Sequence, residues 1–239
     1  MTAIAIGSLL KANILVIDAM VQTTDKPKEP KDYKMDNKLV EMETSGQFLA
    51  LCGEGLIADG AKMINDWCKM RKIKIDLFNS SHFTQILRSA ERYRKFFVEI
   101  AQGKIIPQDS TIVYVLSRTR IKIYEVKYLN FLFFIDKEYD FKDNKFEINY
   151  CGNIRDVSLP ADEIDPIKYG KEQIINAHNS KPILKHDFDN RFSSVYLPKQ
   201  IAEPVEVMDP YIEFTEIYLK YGNIWDYVNE PDFKWSPKF

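Results

Sequence analysis

Near the N-terminus three residues have the types that hydrolytic chemistry needs. Thr2 follows the initiator methionine, so removal of Met1 leaves one residue carrying both a hydroxyl and a free α-amine. Such an amine titrates at about pH 8 and takes up a proton at neutrality. A hydroxyl nucleophile served by its own amine as base is an established catalytic solution. It requires an acid and a cation nearby. Asp18 closes the apolar run Asn13–Asp18, and Lys38 opens the run Lys38–Met42. If the first two apolar runs pair as a hairpin, the end of the second strand returns to the start of the first. Asp18 then lies close to Thr2. Lys34 competes with Lys38 for the place of the cation.

Residues 3–10 and 13–18 are short apolar runs separated by little more than Lys11 and Ala12, which predicts a tight strand pair opening the fold. Residues 22–37 are polar and contain Pro27 and Pro30, and read as a loop. Residues 38–42 and 47–52 predict a second strand pair turned by Ser45 and Gly46. Ile57, Ala61, Ile64 and Cys68 recur at helical spacing after Gly55, where a strand must turn sharply into a helix. Residues 81–102 predict a second helix, capped by Ser81 and ended by Gly103. Residues 111–116, 120–126, 131–135 and 146–150 are β-branched and aromatic and predict a strand meander. Asp165 and Pro166 begin a helix running to about His178.

Most of the 11 prolines follow Pro160, and the tail is rich in aromatics, with a further helix predicted over 211–221. The expected organisation is one domain over residues 1–180 and a proline- and aromatic-rich extension over 181–239. The extension would wrap over the domain or reach a neighbouring subunit. The order of elements predicts an α+β fold: a four-layer αββα sandwich of two antiparallel sheets flanked by helices.

The opening from Thr2 to Gly7, with Asp18 after it, resembles the start of a proteasome β-type subunit or of the bacterial HslV peptidase, members of the N-terminal nucleophile hydrolase superfamily. Lys38–Met42 resembles their lysine-bearing strand, and Gly55–Asp59 resembles the glycine-to-helix segment that follows. The resemblance implies that Thr2 is the nucleophile and that Asp18 and Lys38 organise its amine and hydroxyl. It implies that the Gly55 amide donates to the oxyanion, a role that amides at helix starts suit. It also implies a homo-oligomeric ring that takes peptide or protein substrates, and leaves an ATPase partner open. The departures from the family pattern are Ala3, Met20, and Cys151-Gly152-Asn153 where a Gly-Ser-Gly segment is usual. Asp156 is the candidate for that region's aspartate.

Composition narrows the alternatives. With 45% hydrophobic and 28% charged residues, the chain can bury a core, so disorder of the whole is excluded. A formal charge of −2 and a pI near 6.0 give no global attraction to nucleic acid or anionic lipid. No apolar run reaches the roughly 18 residues of a membrane span. Three widely spaced cysteines, an odd number, point to a reducing compartment and to the cytoplasm. The three histidines lack metal-ligand spacing with the cysteines, and no glycine-rich phosphate loop is present, so neither metal nor cofactor is expected. The expected activity is threonine-type peptide hydrolysis in a self-compartmentalised oligomer. The alternatives are a catalytically inactive subunit of the same fold, serving assembly or binding, and an amide hydrolase acting on a small molecule.

Overall fold

The structure, a computed structural model, describes residues 2–22, 33–35, 38–100, 110–130, 132–150, 152–158, 165–178 and 192–199, with the backbone alone at 20–22, 33–35, 93–100 and 178. The helix expected over 211–221 and the helix end at Gly103 fall outside the described residues. The opening runs form β1 (Ala3–Ser8) and β2 (Ala12–Asp18), antiparallel, with Ile4 opposite Ile17 and Ser8 opposite Asn13. Every residue of both strands is buried, which explains the unbroken apolar runs where a half-exposed strand would alternate. Within the segment read as a loop, β4 (Tyr33–Met35) pairs with β3 (Met20–Gln22), whose last residue opens that segment, so the loop expectation is corrected at 22 and 33–35. β5 (Leu39–Met42) and β6 (Gln47–Cys52) follow as expected, and the Ser45 and Gly46 amides both donate to the Met42 carbonyl in the turn between them.

α1 (Leu56–Arg71) and α2 (Ser80–Ile100) match the two predicted helices. The cap of α2 is Asn79 rather than Ser81: its Oδ1 accepts the Ser81 amide at 2.9 Å. β7 (Ser110–Leu116), β8 (Ile121–Leu129) and β9 (Leu132–Asp140) form an antiparallel meander with β5 and β6. The expected fourth strand of that meander, β10 (Lys145–Tyr150), leaves it. It crosses to the other sheet and pairs with β1, and β11 (Asn153–Asp156) follows it. α3 (Pro166–His178) starts as read from the sequence, with Asp165 Oδ1 accepting the Ile167 and Lys168 amides at 2.9 and 3.2 Å. β12 (Phe192–Pro198) pairs with β2 and completes the first sheet from the part of the chain expected to be an extension.

Two antiparallel five-stranded sheets result, ordered β11-β10-β1-β2-β12 and β5-β6-β7-β8-β9. α1 and α2 pack on the second sheet around Trp67, Phe83 and Tyr124. Ile4, Ile6, Leu15 and Ile17 face Tyr114, Leu116 and Ile123 between the sheets. Ala5, Ile14 and Val16 face α3 through Ile174. The four-layer αββα arrangement thus follows from one strand pair that is apolar on both faces. Each fully buried isoleucine or leucine in it stabilises the fold by about 1.5–3 kcal/mol. Among the described residues no helix is long and apolar enough to cross a membrane.

Candidate functional site

Residue Thr2 sits at the start of β1, between strands that fix its place. Tyr150 at the end of β10 pairs with Ala3 on one side, while Ile17 pairs with Ile4 on the other, which carries Asp18 back beside the first peptide of β1. The Ala3 amide donates to Asp18 Oδ2 at 2.5 Å. Lys38, immediately before β5, reaches across from the second sheet. Its Nζ donates to Thr2 Oγ1 at 3.0 Å and to Asp18 Oδ1 at 2.6 Å. All three are buried, with 8% of Thr2, none of Asp18 and 7% of Lys38 exposed. Lys38 is therefore a lysine at Thr2, while the competing Lys34 of β4 is described by its backbone alone.

The electrostatics follow from that geometry. A carboxylate taken fully out of water is costly unless paired and hydrogen-bonded. Asp18 has both, through the Lys38 ammonium and the Ala3 amide. The ammonium in turn donates to the threonine oxygen, so it favours negative charge on Oγ1. Charge-assisted bonds of this kind are the stronger ones, and they hold the hydroxyl in one orientation.

Cys52, the last residue of β6, also touches Thr2: its Sγ donates to the Thr2 carbonyl oxygen at 3.6 Å, and the residue is buried. No sequence motif singled it out. Its only signal is its position as the last residue of the strand that leads into α1.

Gly55 stands three residues beyond Cys52, as the residue before α1. The expectation that a sharp turn demands glycine there is corrected. Gly55 has φ −64 and ψ −26, an ordinary helical conformation, and a Cβ added to it meets nothing within 4 Å. The glycine that the turn requires is Gly53, with φ +137 and an added Cβ only 2.5 Å from Thr111 Oγ1 and 2.8 Å from Thr111 Cα. The first turn of α1 closes through the Leu56 amide to Glu54 Oε1 and the Ala58 amide to the Gly55 carbonyl. Asp156 does not join Thr2. It lies exposed on β11 and pairs with Lys145 at 2.9 Å.

A second polar cluster escaped the sequence entirely. Asn149 on β10, opposite Ile4, is fully buried, and its Nδ2 donates to the Tyr114 hydroxyl of the other sheet at 2.9 Å. Its Oδ1 accepts the Gly152 amide, also at 2.9 Å. Burial pushes the Tyr114 phenol well above its usual range, so it stays protonated. Among the described residues no group of three or more His, Cys, Asp or Glu is arranged to hold a metal ion.

No family model matches the chain, and no curated protein matches it. Among solved structures it is similar to Anbu (ancestral beta-subunit) from Yersinia bercovieri, at 8% identity and a TM-score of 0.46, covering 99% of this chain and 100% of that one. It is also similar to Anbu from Hyphomicrobium sp. strain MC1, at 10% identity and a TM-score of 0.32, covering 76% of this chain and 97% of that one. The assignment to proteasome β-type subunits and HslV-like peptidases drawn from the opening residues is corrected by these results. No family model places the chain there, and the solved structures named above are Anbu proteins. At such low similarity the likeness carries no argument about activity, which has to be read from the side chains themselves.

Proposed function

We propose that the chain, once Met1 is removed, is a hydrolase with an N-terminal threonine nucleophile that cleaves amide bonds in peptides. The observation that carries this is the Lys38 ammonium placed 3.0 Å from Thr2 Oγ1 and 2.6 Å from Asp18 Oδ1 in a buried cluster. Thr2 Oγ attacks the carbonyl carbon, and its proton passes to the freed α-amine of the same residue. The amine then gives that proton to the leaving nitrogen. An ester between Thr2 and the acyl half remains. Water attacks this ester with the amine as base, releases the acid and restores the hydroxyl. Lys38 stabilises the developing negative charge on Oγ, and Asp18 holds Lys38 in place. We assign the oxyanion of each tetrahedral intermediate to the Gly55 amide, where the positive end of the α1 dipole favours negative charge.

We further propose that the chain works as a homo-oligomer. Leu129, 60% exposed, with Leu132 and Phe134 on the β8–β9 hairpin, supports this, since association would bury such surface. Light scattering should give a mass above one chain, and a clean monomer at micromolar concentration refutes it.

The activity is tested in two steps. Intact mass establishes loss of Met1. A peptide epoxyketone, which closes a ring on a hydroxyl and its adjacent α-amine, is then applied. Wild type should gain one adduct per chain and Thr2→Ala none. Processed wild type that hydrolyses no peptide and takes no adduct refutes the enzyme and favours the inactive subunit.

A further inference from the structure

The end of β1 that carries Thr2 is bordered by a turn whose anchoring is unusual. β10 ends at Tyr150, opposite Ala3, so the chain beyond it emerges beside Thr2. Gly152 in that turn has φ +86. Its amide is held by the side chain of Asn149 rather than by the ladder, at 2.9 Å. The same side chain donates across the layer between the sheets to Tyr114, also at 2.9 Å. Tyr114 is on β7, opposite Ala50, two residues before the Cys52 that touches the Thr2 carbonyl. One fully buried amide therefore ties three things together: the strand beside the nucleophile, the turn that borders it, and the sheet that supplies Lys38 and Cys52.

We propose that Asn149 is a positioning residue for the hydrolysis assigned to Thr2, a role that rests on that assignment. It fixes the turn after β10 relative to the nucleophile, and so the wall against which a peptide lies during attack. The chemistry of the side chain suits this. Asparagine offers an acceptor and a donor at once, and the two bonds run in opposite directions. Asn149 and Tyr114 are both fully buried, so the bond between them is not replaced by water when lost, whereas the amide of the exposed Gly152, once released, turns to solvent and the turn loses its anchor. A displacement of about 1 Å in a bound peptide can cost about 100-fold in rate.

The test uses the full, Met1-processed chain, with a fluorogenic peptide amide and the peptide epoxyketone as probes. Asn149→Leu keeps the branched shape, though not the volume, and removes both bonds. Asn149→Asp keeps an acceptor for Gly152, and the Tyr114 hydroxyl can donate to its second oxygen. Asn149→Leu combined with Tyr114→Phe leaves no orphaned group in the core and guards against a variant that fails to fold. The expected result, per folded chain, is a 10- to 100-fold slower labelling of Asn149→Leu and of the double variant (about 100-fold being the scale of a 1 Å misplacement). Asn149→Asp should recover most of the rate. Amide hydrogen exchange at Gly152 should speed up in the first two and not in the third. Wild-type labelling by a folded Asn149→Leu overturns the positioning role, and so does unchanged exchange at Gly152. Should wild type itself never label, the assignment of Thr2 falls, and the exchange at Gly152 still decides whether Asn149 holds the turn.

Discussion

The two ends of β1 carry the same three functional groups in different order. At its start the Thr2 hydroxyl, the Asp18 carboxylate and the Lys38 ammonium meet. At its end Ser8 Oγ donates to Asp143 Oδ1 at 2.7 Å, and Lys199 Nζ donates to the same oxygen at 2.7 Å. At Thr2 the lysine is the bridge, so the hydroxyl oxygen receives a positive charge. At Ser8 the carboxylate is the bridge, so the hydroxyl merely donates to an anion. Burial differs as much. The Asp18 side chain is wholly inaccessible, while that of Asp143 is 76% exposed. Ser8 also lies within the chain and has no α-amine to serve as its base. Residue types do not make a site by themselves. The order of bonding, the exclusion of water and a base on the nucleophile's own residue separate the candidate site from a surface ion pair.

The sharpest way to break this comparison is to remove the cation at each end. Lys38→Met strands a buried carboxylate without its cation, which should destabilise the fold by about 3–5 kcal/mol in denaturant unfolding. It should also abolish hydrolysis. Lys199→Met removes the partner of an exposed carboxylate and should cost less than about 1 kcal/mol with turnover unchanged. Equal losses at the two ends would show that burial does not distinguish them.

Much of the difference is legible in the order of the residues alone. Thr2 and Asp18 can be brought together because two short apolar runs with almost nothing between them admit little but a hairpin, and a hairpin dictates which ends meet. Lys38 requires the family resemblance, since a lysine at a strand start says nothing about what it faces. The strands are legible too, but not their partners. The run Phe146–Tyr150 looks like the strands before it, and period-two alternation does not reveal that β10 crosses to pair with β1. Asn149 and Tyr114 stay hidden for the same reason: their bond depends on two sheets meeting face to face. β3 and β4 escape because prolines between them mark a loop without saying where its flanks pair.

The buried end can be sharpened through the two glycines after β6. Gly53→Ala forces a left-handed φ of +137 and drives a Cβ into Thr111, whose Oγ1 accepts the Glu54 amide at 2.8 Å. Strain of this kind costs about 1–3 kcal/mol, and a lowered thermal midpoint should report it. Gly55→Ala has no such conflict and should leave the stability within about 0.5 kcal/mol of wild type. If the Gly55 amide receives the oxyanion, the added methyl enters the space a substrate needs, and peptide hydrolysis should fall while folding does not. A Gly55→Ala enzyme with full activity would remove Gly55 from the site.

The smallest effect belongs to the exposed end, and its sign is fixed by the carboxylate. The Lys199 ammonium, and after it the Ser8 hydroxyl, hold Asp143 below the usual carboxylate range. A group whose folded pKa is lowered contributes stability that is present above its unfolded pKa, about 3.9. That contribution disappears as pH falls through the folded value. Asp143→Asn should therefore be slightly less stable than wild type near neutrality and should converge with it in acid. Exposure and screening keep the gap below about 1 kcal/mol, and raising salt to 1 M should shrink it further. Thermal melts of the two proteins across this pH range provide the measurement. A gap that widens in acid, or that ignores salt, would mean that Asp143 is not the solvated counterpart of Asp18.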